Sequence, residues 1–210
     1  MPTAALLAGI ARFQHQVRDD PELLERFALQ EQEPSVLFIS CSDARVPPEL
    51  ITSAQTGDLF VARNVANIVP PYGSGDMGMG AIIEYAVLQL RVEHIVVCGH
   101  TDCGGIKAMD RPVDWRSEPH IARWIEYARP AKTKTEASGL PGDQHHLTTV
   151  RENVLLQLDH LRSYDPVREG ERGGSLRLHG WVYRLETASF EEFKADGDVW
   201  MPLLQDVEDL

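Results

Sequence analysis

The residues with the most chemistry to offer are three cysteines and one histidine. Cys98, His100 and Cys103 lie together in VVCGHTDCGG (96–105), and Cys41 stands apart in VLFISCSDAR (36–45). Thiolate and imidazole donors favour zinc over magnesium or calcium, which take oxygen ligands. The competing reading is buried thiols and a core histidine, because free cysteine is among the most buried residue types. A redox pair is disfavoured: four residues separate Cys98 from Cys103, against two in a C-x-x-C motif.

A metal site needs elements that bring these residues together. SVLFIS (35–40), DLFVARN (58–64) and HIVVCGH (94–100) are apolar runs of strand length without alternation. Such runs suit strands buried on both faces. Between the last two, Ile82, Tyr85, Ala86 and Leu90 mark a helix. Strand, helix and strand in alternation predict a parallel sheet, and sites in such sheets form outside the carboxyl ends of the strands. Cys41 stands at one strand end, and His100 and Cys103 just past another. If those strands are neighbours, the three side chains can converge. Cys98 lies inside its apolar run and reads as a packing residue. Three protein ligands leave a tetrahedral metal one open position, the pattern of a catalytic site.

CSDARV (41–46) adds a carboxylate and a guanidinium at alternate positions, Asp43 and Arg45. Two arrangements are open. Asp43 can ligate the metal and close the site. Alternatively, Arg45 can hold Asp43 by charge-assisted hydrogen bonds, leaving an oxygen to accept a hydrogen bond from an activated water. Asp102, beside Cys103, is not assigned as a ligand.

The rest of the chain must support this centre. Leu6, Ile10, Phe13 and Val17 form a helical stripe, and Asp20 and Pro21 cap and open a second helix. These two helices need something to pack on. SEPHIARWIEYAR (117–129) and TTVRENVLLQLDHLRSY (148–164) read as helices, PAKTKTEASGLPGDQHH (130–146) as a surface loop, and SLRLHGWVYRLETASF (175–190) as a last strand and hairpin. The expected fold is α/β: one domain over residues 1–210, with a central, mostly parallel sheet flanked by helices and residues 1–33 as a helical arm. A net charge of −12 argues against nucleic acid and anionic membranes. Three cysteines argue against a disulfide framework. No apolar run approaches the roughly 18 residues of a membrane span, and no basic stretch precedes the first apolar patch. The chain reads as cytoplasmic, the interior of a bacterial microcompartment included.

In this order and at these separations, CSDARV (41–46), GDLFVARNVAN (57–67) and CGHTDCGGI (98–106) resemble the β-class carbonic anhydrases, more closely their plant and cyanobacterial branch. IVPPYG (68–73) and LHGWVY (178–183) are similar as well. The resemblance implies one zinc per subunit on Cys41, His100 and Cys103. It implies reversible hydration of carbon dioxide to bicarbonate and a proton, by attack of a zinc-bound hydroxide that an Asp43–Arg45 dyad orients. It places Gln32, Phe60, Val65, Tyr85 and Gly104 around the substrate. It also implies a homodimer or larger homo-oligomer, with part of each site donated by the partner and the arm packed on the neighbouring chain. The same fold and zinc site can hydrolyse carbonyl sulfide or carbon disulfide.

Two positions depart from the family pattern. Ala44 stands where a serine is usual. Phe38 stands where some members carry the tryptophan of an inhibitory bicarbonate site, which, with Gln32 present, favours the constitutively open subtype. His94, His120, His145, His146, His160 and His179 are candidates for proton transfer, but none sits in a motif, and each reads as a surface or structural residue.

Overall fold

The computed structural model describes residues 3–28, 31–111 and 116–204. Its centre is a six-stranded sheet in the order β2-β1-β3-β4-β5-β6. The strands are β1 (Val36–Cys41), β2 (Leu59–Asn64), β3 (His94–His100), β4 (Arg177–Arg184), β5 (Ser189–Lys194) and β6 (Val199–Pro202). The first four are parallel, and β5 and β6 add an antiparallel edge. The three apolar runs read as strands are β1, β2 and β3, shifted by at most one residue.

Strand order decides where a site can form. The chain runs from β1 to β2 on one side, then places β3 on the other side of β1. The connections after β1 and β3 therefore leave in opposite directions, and a crevice opens between the carboxyl ends of these two strands. The register pairs Val36 with His94 and Ser40 with Cys98, so Cys41 and His100 finish at the same end of adjacent strands.

One face of the sheet is covered by α8 (Gly142–Arg162), whose stripe of Val150, Val154, Leu158 and Leu161 joins Leu37, Ile39, Ile95 and Val97 in the main core. Glycines set how close the helix comes. A Cβ on Gly99 would lie 2.9 Å from Val154 Cγ2 and 3.0 Å from Val150 Cγ1. Overpacking of that kind costs about 1–3 kcal/mol. On the other face, Phe38, Val96 and Cys98 are buried with Trp181, Tyr183 and Phe190 packed against them.

The first two helices are α1 (Thr3–Asp19) and α2 (Pro21–Ala28), and Asp20 Oδ1 accepts the Leu23 N–H at 3.1 Å, as a cap should. No α1 residue is buried, and Leu6, Leu7 and Ile10 are 52%, 62% and 46% exposed. The helix marked by Ile82, Tyr85, Ala86 and Leu90 starts as α4 (Met77–Glu84) behind an Asp76 cap and continues as a π-type turn over Tyr85–Leu90. Short helices α3 (Pro48–Thr52), α5 (Gly104–Lys107) and α6 (Pro119–Ile125) complete the middle of the chain.

The stretch 130–146 corrects the loop reading. It forms α7 (Arg129–Ala137) and the first turn of α8. Pro130 sits in the first turn, where proline is tolerated, and only Ala131 and Thr135 of α7 are buried. An anchor of two small residues is too weak an apolar stripe to register as periodicity. The sequence reading also passes over the short helices α3 and α5, α9 (Asp165–Gly173), closed by left-handed Gly174, and the edge strand β6. Among the described residues, no helix is long and apolar enough to cross a membrane.

Candidate metal centre

Cys41 comes from the end of β1, His100 from the end of β3, and Cys103 from the residue before α5. All three are buried, and their ligand atoms lie within 4.8 Å of one another. The two sulfurs are 3.9 Å apart. Sulfurs each about 2.3 Å from a tetrahedral zinc would lie about 3.8 Å apart, so the pair already has the right span. His100 Nδ1 is 2.8 Å from the Thr101 carbonyl, which can only accept, so the proton sits on Nδ1 and Nε2 keeps its lone pair. That Nε2 is buried and takes no hydrogen-bond partner among the described residues. Two converging sulfurs and an imidazole lone pair fit a zinc ion. The thiols titrate as one unit: its neighbour Cys103 draws Cys41 below the usual thiol range, and Cys41 and burial push Cys103 up.

The surrounding loops hold these ligands. Thr101 ties the His100 loop to the end of β4, donating to Glu186 Oε2 at 2.7 Å and accepting the Leu185 N–H at 2.9 Å. Arg63 on β2 donates to the Cys41 carbonyl at 3.0 Å and to the Asp43 carbonyl at 2.6 Å. In the turn after β2, Ala66 and Asn67 have positive φ of 63° and 47°. Such conformations cost about 1–3 kcal/mol each and persist only where neighbours fix them. Here the Asn64 side chain bonds both the N–H and the carbonyl of Ile68, and Asn153 Nδ2 donates to the Ala66 carbonyl at 3.0 Å. The turn thereby aims the Ala66 N–H at Cys41 Sγ, 3.4 Å away. Gly105 lets α5 close on this turn, since a Cβ there would meet Val65 Cγ1 at 2.7 Å.

The Asp43 carboxylate is bonded to Arg45. Arg45 donates Nε to Oδ1 at 2.9 Å and Nη2 to Oδ2 at 2.7 Å, and its backbone N–H reaches Oδ1 at 3.0 Å. Asp43 is not among the converging ligand atoms. The Arg45 hydrogen bonds hold its carboxyl well below the usual carboxylate range. Around Ala44, the Asp43 carboxylate accepts the Arg45 N–H and the Asp43 carbonyl accepts from Arg63. Cys98 is buried beside Phe38 and Val96, away from the other thiols, and burial pushes it up to about 12.

The remaining site residues divide into two groups. Val65 and Gly104 adjoin the ligands, and a Cβ on Gly104 would meet open space. Val65 also borders a cleft of about 880 Å³ with Ser42, Asn64, Trp124 and Tyr127. Phe60 pairs with Leu37 in register, four residues and so about 13 Å along the strand from Cys41. Its ring lies 5.8 Å from that of Tyr85, and Tyr85 shares a second cleft with Gln32. Gln32, Phe60 and Tyr85 thus gather away from the metal ligands of their own chain. Of the histidines, His94 and His179 bond each other at 3.0 Å, His145 bonds the Leu140 carbonyl, and His160 the Val69 carbonyl. His120 lines the larger cleft, while His146 Nε2 is buried without a hydrogen-bond partner among the described residues. Sequence reasoning missed Arg63, Thr101 and Asp102 as supports. Nothing in a lone charged or hydroxyl residue marks it before its neighbours are known.

A mostly parallel sheet thus carries a buried Cys-His-Cys cluster at its switch point, a donor set of the kind that holds zinc. Residues 36–190 match the carbonic anhydrase family. A carbonic anhydrase of Synechococcus elongatus is 40% identical over 169 residues, covering 79% of this chain and 62% of that one. Carbonic anhydrase 1 of Escherichia coli O157:H7 is 40% identical over 201 residues, covering 94% and 91%. These equal identities do not separate the cyanobacterial from the enterobacterial branch. The solved β-carbonic anhydrase CcaA superimposes with a TM-score of 0.88 at 33% identity, covering 97% of this chain and 92% of its own. The chain belongs to the β-class carbonic anhydrases.

The ligand set predicts a clear split in metal content. Cys41→Ser, His100→Ala and Cys103→Ser should each lose bound zinc, measured by elemental analysis after dialysis, while Cys98→Ala keeps one zinc per chain. Full zinc in any of the first three variants would contradict the assignment.

Proposed function

We propose that this chain catalyses the reversible hydration of carbon dioxide to bicarbonate and a proton, with one zinc ion held by Cys41, His100 and Cys103. The observation that carries the reading is the convergence of two sulfurs and one imidazole nitrogen within 4.8 Å, with Asp43 held beside them by Arg45. Zinc there would supply the Lewis acidity that makes water a nucleophile near neutral pH.

The protein's own groups do the rest. Asp43, kept ionised by Arg45, can only accept a hydrogen bond. It engages the attacking oxygen through the proton that oxygen retains, and so turns a free lone pair toward carbon dioxide. Gly104, lacking a Cβ, leaves room for substrate next to the ligands. In a site shared by two copies, Val65 of one chain with Phe60 and Tyr85 of the other would form an apolar wall suited to a weakly hydrated gas, and the Gln32 amide could donate to a carbon dioxide or bicarbonate oxygen.

The separation of Gln32, Phe60 and Tyr85 from the ligands of their own chain favours a site completed between two copies. The exposed Leu6, Leu7 and Ile10 favour an arm, residues 1–33 of a single domain, that packs on the neighbour. The reading therefore includes a homodimer or larger assembly, and a cytoplasmic setting that the low cysteine count supports. With Asp43 bonded to Arg45 and Gln32 present, it also includes the constitutively open subtype.

Asp43→Asn should keep its zinc and lose most carbon dioxide hydration in a stopped-flow assay; near-normal turnover would sink the mechanism. A triple variant, Leu6→Ser, Leu7→Ser and Ile10→Ser, should give a smaller assembly by light scattering. An unchanged mass would remove the arm from the interface.

A further inference from the structure

Asp102 precedes the ligand Cys103 and is one of the non-glycine residues with positive φ, 60°. Its carboxylate is not among the converging ligand atoms. Instead, Oδ2 accepts Arg45 Nη1 at 2.9 Å, the backbone carbonyl accepts Arg45 Nη2 at 3.4 Å, and Oδ1 accepts the Lys107 ammonium from α5. The Arg45 guanidinium therefore has two edges engaged, Nε and Nη2 on Asp43 and Nη1 on Asp102.

We propose that Asp102 is a positioning residue for the Asp43–Arg45 pair, fixed in turn by Lys107. The claim rests on the proposed hydration reaction for its effect on turnover, though not for its effect on Arg45.

The physical need is specific. Asp43 and Arg45 are two residues apart on one loop, and the Arg45 side chain is 50% exposed. An exposed ion pair with one partner is weak, because side-chain entropy and solvent compete with it. Asp102 grips the same guanidinium from a different strand end. Arg45 thus cross-links the loop after β1, which follows Cys41, to the loop after β3, which delivers Cys103. With both edges engaged, the guanidinium cannot swing away and leave Asp43 free to rotate. Charge is balanced too: Asp43 and Asp102 face Arg45 and Lys107, so the four groups add no net negative charge beside the two sulfurs.

Two substitutions separate the carboxylate from the backbone. Glycine and asparagine both tolerate the left-handed conformation that Asp102 adopts. Asp102→Gly removes the side chain; Asp102→Asn restores an uncharged acceptor in its place. A purely conformational role predicts that both behave as the parent protein. The positioning role predicts that Asp102→Gly lowers kcat about five- to tenfold, the scale of one charge-assisted hydrogen bond at a half-exposed site, with KM and zinc content unchanged. Asp102→Asn should recover part of that loss, and Asp102→Gly should cost nothing further in an Arg45→Ala background.

A second readout needs no turnover. In the parent protein the Arg45 guanidinium nitrogens should give separate ¹⁵N NMR signals, because rotation about the Cζ–N bonds is hindered; Asp102→Gly should average them. Parent-like kcat in Asp102→Gly, an additive loss in the Arg45→Ala background, or unchanged Arg45 signals would each overturn the proposal. If the parent protein fails to hydrate carbon dioxide, the functional reading falls, and the Arg45 signals still decide the positioning claim.

Discussion

Two buried sulfurs 3.9 Å apart cannot both carry charge without a cation between them. Unit charges about 4 Å apart repel by about 4 kcal/mol even at an effective dielectric of 20, and burial adds the cost of desolvating each. Without a metal, one of the two thiols must keep its proton, which is the sense in which Cys41 and Cys103 move apart. A divalent cation removes the conflict, and His100 Nε2 is already placed to join it. The arrangement around the centre then follows from a single requirement: three soft donors must meet while every nearby carboxylate stays off the metal.

The fold meets the first half of that requirement through strand order. Placing β3 beside β1, with β2 on the far side, opens the crevice into which Cys41 and His100 both point their ends of chain. The strained turn at Ala66 and Asn67 and the glycine at 105 then bring α5, and so Cys103, against the same spot. Arginines meet the second half. Arg63 fixes the backbone of the loop after β1, and Arg45 draws both Asp43 and Asp102 toward itself. A metal left with an open position could then bind a substrate.

How much of this could be read in advance depended on how distinctive each residue's chemistry is. Cys41, His100 and Cys103 stood out because their types are rare and they sit at or just past the ends of apolar runs that suit buried strands. Whether Asp43 would ligate or pair stayed open, because it depends on where the Arg45 side chain lies. Asp102 was visible but mute, since a lone aspartate next to a cysteine looks the same whether it binds a metal, an arginine or water. Among the elements, β1, β2 and β3 were legible from unbroken apolar runs, and α8 from a long stripe. The helix α7 was not, because it is held by Ala131 and Thr135 and is otherwise polar. The grouping of Gln32, Phe60 and Tyr85 was invisible for a different reason: sequence spacing does not say which end of the sheet a side chain occupies.

The central claim is that an open Cys-His-Cys zinc centre, flanked by a restrained carboxylate, hydrates carbon dioxide. The most direct measurement is stopped-flow hydration from about pH 6.5 to 9, a range around the ionisation of zinc-activated water, with zinc determined on the same samples. Asp43 is held ionised far below that range, so its own protonation cannot shape the profile. The account predicts turnover proportional to zinc content and rising as the pH climbs above neutral. One zinc per chain with hydration no faster than buffer across the whole range would contradict it.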